Sequence, residues 1–150
     1  MFKRLRADIR AAKKNDPAAR SKFEIWLTYS GVHALSWHRW ANFLYRIKLK
    51  LLARITSQFA KFLTGIEIHP AAKIAGGVFI DHGTGVVIGE TAEIEEGVVI
   101  KNSVVLPDTY IAKDIVLDYQ VVDKHSKLLH CKELIASADE PGYVKRGDTL

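Results

Sequence analysis

Hydrophobic positions follow two different rhythms along this chain of 150 residues. Up to residue 64 they recur at intervals of three and four, the spacing that places side chains on one face of an α-helix. The positions that carry this pattern are Val32, Leu35, Phe43, Leu44, Ile47, Leu51, Ile55 and Phe59. We therefore predict an N-terminal α-helical region over residues 1–64.

Two local signals predict helix boundaries in this region. Asn15-Asp16-Pro17 combines a side-chain acceptor with a proline just behind it, and this predicts a helix start. Gly65 predicts a helix end, because glycine readily adopts the left-handed backbone found there. The tryptophans are expected in the core or between helices; they are Trp26, Trp37 and Trp40.

From residue 66 the hydrophobic interval becomes six, which fits neither a helix nor a simple strand. The positions are Ile68, Ile74 and Ile80 and, after one interval of eight, Ile88, Ile94, Ile100 and Leu106. Short strands repeated in this way form a solenoid, and three six-residue sides complete a triangular coil of about 18 residues. We predict an α+β fold, in which the helical region is followed by a left-handed parallel β-helix of hexapeptide repeats over residues 65–150.

The eight-residue interval is the first irregularity in this repeat. It contains the run Asp81-His82-Gly83-Thr84-Gly85, in which two glycines free the backbone. An interruption of a strict repeat often marks a functional loop. His82 is therefore a candidate site residue.

A second irregularity follows Leu106, because the next inward position, Ile111, is only five residues further on. A change of phase turns side chains to different faces, so it must be absorbed at a turn. We expect a seam between two parts of the β-helix at this point.

Charge is distributed unevenly. The net charge is +5, but residues 1–63 hold 14 Lys and Arg against 3 Asp and Glu, whereas residues 64–150 hold 8 against 14. Because the basic residues are spread rather than clustered, we expect a solvated helix surface, or a surface that meets the acidic half of another subunit. We expect no nucleic-acid binding.

The cellular context is predicted from absences in the sequence. The chain has one cysteine, Cys131, so it cannot form an internal disulfide and suits a reducing cytoplasm. No run of 18 uncharged apolar residues occurs, and we expect no membrane span. The first ten residues lack the apolar run of a signal peptide.

Four segments together resemble the serine acetyltransferases, which acetylate L-serine at the start of cysteine biosynthesis. They are residues 15–18 (NDPA), 31–35 (GVHAL), 62–70 (FLTGIEIHP) and 81–94 (DHGTGVVIGETAEI). The resemblance covers about residues 1–97. It implies a transfer of the acetyl group from acetyl-CoA to the serine hydroxyl.

The resemblance also implies roles for four residues. His82 matches the general base that takes the proton from the serine hydroxyl, and Glu67 matches the acidic residue that pairs with this histidine. Asp16 and Asp81 match carboxylates that hold the amino-acid substrate. The implied partners are L-serine and acetyl-CoA as co-substrate, with no permanently bound cofactor or metal. The implied assembly is a homotrimer or a multiple of trimers.

The resemblance ends after about Ile100. The glycine-rich turn of these enzymes is missing, and their Arg-His-Pro motif would fall near Leu117, with Lys124-His125 as the nearest substitute. Residues 97–150 instead resemble the C-terminal β-helix of glucose-1-phosphate adenylyltransferases, an assembly and regulatory module. We therefore expect impaired catalysis. The alternative is a non-catalytic oligomeric or regulatory β-helix scaffold. An engineered chimera, an unusual natural gene and a recombination product are all open as the origin of a chain with two resemblances.

Overall fold

The computed structural model describes residues 2–150, and they form four helices followed by thirteen short strands. The helices are α1 (Phe2–Asn15), α2 (Lys22–Thr28), α3 (Ser30–Arg46) and α4 (Lys50–Thr64). Among these residues no helix combines the length and apolarity needed to cross a membrane.

The strands are two or three residues long, as expected for the sides of narrow coils. They are β1 (Glu67–Ile68), β2 (Lys73–Ile74), β3 (Phe79–Asp81), β4 (Val87–Ile88), β5 (Glu93–Ile94), β6 (Val99–Lys101), β7 (Val104–Val105), β8 (Tyr110–Ile111), β9 (Val116–Asp118), β10 (Gln120–Val122), β11 (Lys127–Leu128), β12 (Glu133–Ile135) and β13 (Gly142–Val144).

Successive strands belong to three different parallel sheets, so the chain winds around a triangular core. Sheet A has the order β1-β4-β7-β10-β13, sheet B the order β2-β5-β8-β11, and sheet C the order β3-β6-β9-β12. This is a parallel β-solenoid of about four turns, consistent with a left-handed β-helix of hexapeptide repeats. The predicted fold class is confirmed.

The core of the solenoid consists of the residues that the hexad pattern selects, with one correction. Val105 is fully buried and pairs in register with Ile88 and Val122, whereas Leu106 is only half-buried. The five-residue step therefore lies between Ile100 and Val105, not after Leu106 as predicted.

The five-residue step recurs, since Leu117 and Val122 are also inward-facing neighbours five apart. Both steps occur at the corner between sheets C and A, where Asn102 and Tyr119 have positive φ values of 45° and 52°. A residue in the left-handed conformation turns the chain sharply within a short corner, so the next inward-facing side chain comes one residue earlier. In the two later coils the step is thus a repeated property of this corner, and it gives no sign of a seam between two parts of the β-helix.

The helix boundaries partly differ from the prediction. Asn15-Asp16-Pro17 ends α1, because Asp16 donates its backbone N–H to Ala12 and the proline ring disfavours helical backbone in the residue before it. The next helix starts at Lys22, after the N-cap Ser21. The prediction for Gly65 is confirmed: it is left-handed, with φ of 74°, and follows the last residue of α4.

The helices pack against the first coil of the solenoid. Helices α1 and α3 contact β3, and α4 contacts β1. Gly31 of α3 lies directly on the carbonyl oxygen of Ile80, where any Cβ would overlap that oxygen. This close approach brings the start of α3 to the strand that ends at Asp81.

The tryptophans are only partly where we expected them. Trp37 lies between helices and makes an edge-to-face contact with Phe59 of α4, with ring centroids 5.4 Å apart. Trp26 and Trp40 are half-exposed, which contradicts a core position for these two. Their exposure leaves apolar surface on the outside of the helical region.

Candidate functional site

His82 occupies the first corner between sheets C and A, immediately after β3. Its φ is 46°, a left-handed conformation that is unusual for a residue with a side chain. Its backbone N–H donates to Asp81 Oδ1 at 3.0 Å, which helps to hold this conformation. The side chain is 70% exposed, so the imidazole is free to meet a substrate.

The corner at His82 is longer than its counterparts in later coils. Residues Gly83, Thr84 and Gly85 follow the histidine before the chain turns into β4. Gly83 has no room for a side chain, because its Cβ would overlap the side chain of Ile66, and Gly85 has φ of 88°. Both glycines are therefore required by the extended corner.

Asp81 is the carboxylate nearest to the His82 ring among the described residues. Its Oδ2 lies 3.7 Å from His82 Nε2 and 3.4 Å from Nζ of Lys101. This aspartate therefore interacts with two cationic or titratable groups at once. It can stabilise a protonated His82 through charge.

Asp16 joins the same cluster from the loop behind α1. One carboxylate oxygen accepts the backbone N–H of Ala18 at 2.8 Å, and the other accepts the hydroxyl of Tyr29. The Tyr29 hydrogen bond is the main cause of the lowered pKa of Asp16, and the charges of Lys101 and His82 act in the same direction. In return, this hydrogen bond raises the pKa of Tyr29 to about 12.

The structure thus brings together three of the four predicted site residues, His82, Asp81 and Asp16. Glu67, the fourth, lies on β1 and forms an ion pair with Lys61 of α4. Within 4.0 Å the carboxylate partner of His82 among residues 2–150 is Asp81. The pairing of Glu67 with His82 therefore stays a prediction.

Two residues of the cluster were not predicted from the sequence, Lys101 and Tyr29. Lys101 could have been found, because it stands one coil after Asp81 and the two are paired in register. Tyr29 belongs to the segment between α2 and α3, where neither a motif nor the hexad repeat indicates a contact with Asp16.

The remaining histidines lie elsewhere. His38 is buried in α3, and burial lowers its pKa to about 4. His125 is 3.6 Å from Asp108, at a corner between sheets A and B. No group of three His, Cys, Asp or Glu side chains suited to a metal ion occurs within residues 2–150.

The chain was compared with protein-family models, curated proteins and solved structures, and no family model matches it. It is 55% identical over 108 residues to the serine acetyltransferase of Bacillus pumilus and 54% identical over 108 residues to that of Bacillus subtilis. Each alignment covers 72% of this chain and 50% of the relative. The chain therefore spans about half the length of the curated relatives it matches.

Solved structures support the same similarity. The crystal structure of serine acetyltransferase from Brucella abortus in complex with coenzyme A superposes with a TM-score of 0.81 and 28% sequence identity. The match covers 90% of this chain and 58% of that chain. The resemblance to serine acetyltransferases is thus confirmed for the aligned part.

Proposed function

We propose that this chain acts as a serine O-acetyltransferase, which moves the acetyl group of acetyl-CoA to the hydroxyl of L-serine. The observation that carries the proposal is the exposed His82 ring beside Asp81 and Asp16, in a chain similar to serine acetyltransferases. Because the relatives are about twice as long, the proposal concerns the steps for which this chain contains the residues, namely serine binding and proton abstraction.

His82 is the general base in this proposal. An imidazole titrates near neutral pH and can accept the hydroxyl proton as the serine oxygen attacks the thioester carbonyl. The tetrahedral intermediate then collapses, the carbon–sulfur bond breaks, and the proton held by His82 passes to the leaving thiolate of CoA. Asp81, 3.7 Å from the ring, favours the transient imidazolium, and Glu67 would do so if it left Lys61.

The substrate's ammonium group is assigned to Asp16 and Asp81. Carboxylates are suitable partners for an ammonium ion through charge-assisted hydrogen bonds. Acetyl-CoA is a co-substrate rather than a resident cofactor, in keeping with the coenzyme A complex of the Brucella abortus relative. We place the reaction in the cytoplasm, where a lone Cys131 remains reduced.

We further propose that turnover is far below that of full-length relatives. The position at which the Arg-His-Pro motif would fall is near Leu117, and this residue is fully buried in the solenoid core. His125, the nearest substitute, lies at the A–B corner with Asp108, whereas His82 lies at the C–A corner. Positioning of an acetyl donor can be worth on the order of 7 to 11 kcal/mol, and its loss would limit the rate.

The test is L-serine-dependent acetylation by the full chain, followed by mass spectrometry of O-acetylserine. In His82→Ala any activity of the native chain should fall by about 10² to 10⁴, because general-base assistance is lost. His130→Ala, which changes an exposed histidine on the last coils, should retain native activity. Activity that survives His82→Ala would show that the base is elsewhere.

A second candidate function is a non-catalytic oligomeric scaffold. The buried Leu117, at the place expected for the Arg-His-Pro motif, favours it. The resemblance of residues 97–150 to the adenylyltransferase β-helix stays a prediction. The exposed apolar side chains of α3 and α4 suit an assembly role as well. An oligomer that produces no O-acetylserine at any serine concentration would favour the scaffold over the enzyme.

A further inference from the structure

Lys101 lies one coil away from Asp81, in the middle of the residues assigned to the substrate. The two are register partners on β6 and β3, and Lys101 Nζ is 3.4 Å from Asp81 Oδ2. On its other side Lys101 is paired in register with Asp118, but Asp118 Oδ1 accepts a hydrogen bond from Asn102 at 3.0 Å. Lys101 is 28% exposed, so its ammonium group is partly shielded from water.

Every oxygen of the two substrate carboxylates already has a partner within the chain. Asp81 Oδ1 accepts the His82 backbone N–H, and Asp81 Oδ2 faces Lys101. Asp16 accepts the Ala18 N–H with one oxygen and the Tyr29 hydroxyl with the other. Among residues 2–150, Lys101 is the only full positive charge that faces these carboxylates, since His82 is charged only when protonated.

We propose that Lys101 determines the specificity of this site, because its own ammonium group competes with that of the substrate for Asp81 and Asp16. The inference rests on the serine acetyltransferase function proposed above. The lysine ammonium satisfies Asp81 and acts electrostatically on Asp16, so a second ammonium ion meets both a satisfied partner and a like charge. The native site accordingly binds L-serine weakly.

Removing the charge should reverse this preference. In Lys101→Met the side chain keeps its length and apolar stem but loses the ammonium group. Asp81 and Asp16 then face the site without a compensating cation, which favours a ligand that brings its own. A ligand that lacks an ammonium group gains nothing, because the two carboxylates repel its carboxylate as well.

The experiment is calorimetric titration of the full chain with L-serine and with 3-hydroxypropanoate, which is serine without its ammonium group. In Lys101→Met we expect the dissociation constant for L-serine to fall about tenfold or more, and that for 3-hydroxypropanoate not to fall. Lys127→Met, which removes the same charge from an exposed strand position of sheet B, should leave both constants at native values. Lys101→Gln is the second variant, in case the methionine impairs folding.

The inference is overturned if serine affinity is unchanged or weaker in both Lys101 variants, and equally if neither they nor the native chain bind serine. Equal tightening of both ligands would also overturn it, because ammonium recognition would then not be involved. The acetylation assay separates this inference from the proposed function. Tighter serine binding in the Lys101 variants without O-acetylserine would support the role of Lys101 and contradict the proposed acetyltransferase activity. Formation of O-acetylserine with unchanged serine affinity would support the activity and contradict the role of Lys101.

Discussion

Two histidines of this chain show how strongly the surroundings decide what one residue type can do. His82 has an exposed ring on a left-handed backbone and faces carboxylates, so it can exchange protons with a ligand. His38 is buried within α3 next to Arg39, and both burial and this positive charge oppose its protonation. The first suits chemistry at a surface, and the second makes the stability of the fold depend on pH.

His38 leads to a prediction about acid stability. Burial lowers its pKa from 6.5 to about 4, so in this range the unfolded state binds the proton more readily than the folded state. Its contribution is therefore complete above pH 6.5 and is lost as the pH falls towards 4, by at most about 1.4 kcal/mol per pH unit. In His38→Gln the free energy of unfolding should depend less on pH between 6.5 and 4.

Urea unfolding at pH 7, 6 and 5 measures this dependence. His130→Gln is the matched control, because it removes a histidine from an exposed position, and it should keep the native slope. Other groups such as Asp8 remain in both variants and cancel in the comparison. An identical slope for native protein and His38→Gln would mean that His38 is not protonated selectively in the unfolded state.

Among the elements, α1 is joined to α3 by a buried ion pair, in addition to its apolar contacts with its neighbours. Asp8 of α1 contacts Arg39 of α3 at 2.5 Å, and its other oxygen accepts the backbone N–H of Gly77 at 2.9 Å. Burial raises the pKa of Asp8 despite the nearby arginine, so the pair is costly to desolvate. Its role is to fix the position of α1 on the B–C corner.

This pair gives a prediction at the same scale. Asp8→Asn keeps an acceptor for Gly77 but leaves Arg39 as an unpaired buried charge, and this should lower the free energy of unfolding by about 3 kcal/mol. The double variant Asp8→Asn/Arg39→Met should recover most of that loss, since no charge remains buried. Urea unfolding of native, single and double variants is the measurement.

The exposed pair Arg20–Glu24 provides the control for this experiment. Glu24→Gln should change the free energy of unfolding only slightly, because water screens that pair. If the double variant were less stable than Asp8→Asn alone, Arg39 would stabilise the fold by contacts other than its charge pair.

How far the sequence predicts these elements depends on whether a pattern is local. The inward residues from Ile68 to Ile100 were predictable, because each coil repeats the same six-residue side. Val105 was missed because Leu106 fits the interval of six. Only the short C–A corner of the folded chain places Val105, and not Leu106, in register with Ile88. The contact of Asp16 with Tyr29 comes from the packing of α1 against α2 and α3, which no local pattern encodes.

At the scale of the whole molecule, the two ends of the solenoid differ: the described helices cover the first coil and leave the last coil uncovered. Helices α3 and α4 contact β1, whereas β12 and β13 each pair with one strand only. Stability in a solenoid is approximately a sum of terms between neighbouring coils, and the last coil has a neighbour on one side. Ile135 is accordingly largely exposed.

We therefore expect amide hydrogen exchange to be faster beyond residue 120 than in residues 68–100. Native-state exchange followed by mass spectrometry would measure it on overlapping peptides. A peptide that covers β12 and β13 should lose protection first, and one that covers β4 and β5 last, because the latter has coils on both sides. Equal protection of both peptides would indicate that the last coil is covered by another molecule.

The outer surface of the helical region supplies the last prediction, which concerns assembly. Large apolar side chains are exposed along α3, its C-cap and α4: Trp40, Phe43, Ile47, Leu51, Ile55, Phe59 and Phe62. Contiguous apolar surface of this kind is unusual on a monomer, and the basic helical half is complementary in charge to the acidic β-helix of a neighbour.

Light scattering at micromolar concentration should give three times the chain mass of 16.8 kDa, or a multiple of it. Ile55→Lys should shift the mass towards the monomer by burying an unpaired charge, whereas Ser137→Lys, at an exposed position outside the helical region, should not. A native chain that is entirely monomeric under these conditions would contradict the trimer, and a native trimer that persists in Ile55→Lys would place its interface on the sheets instead of the helices.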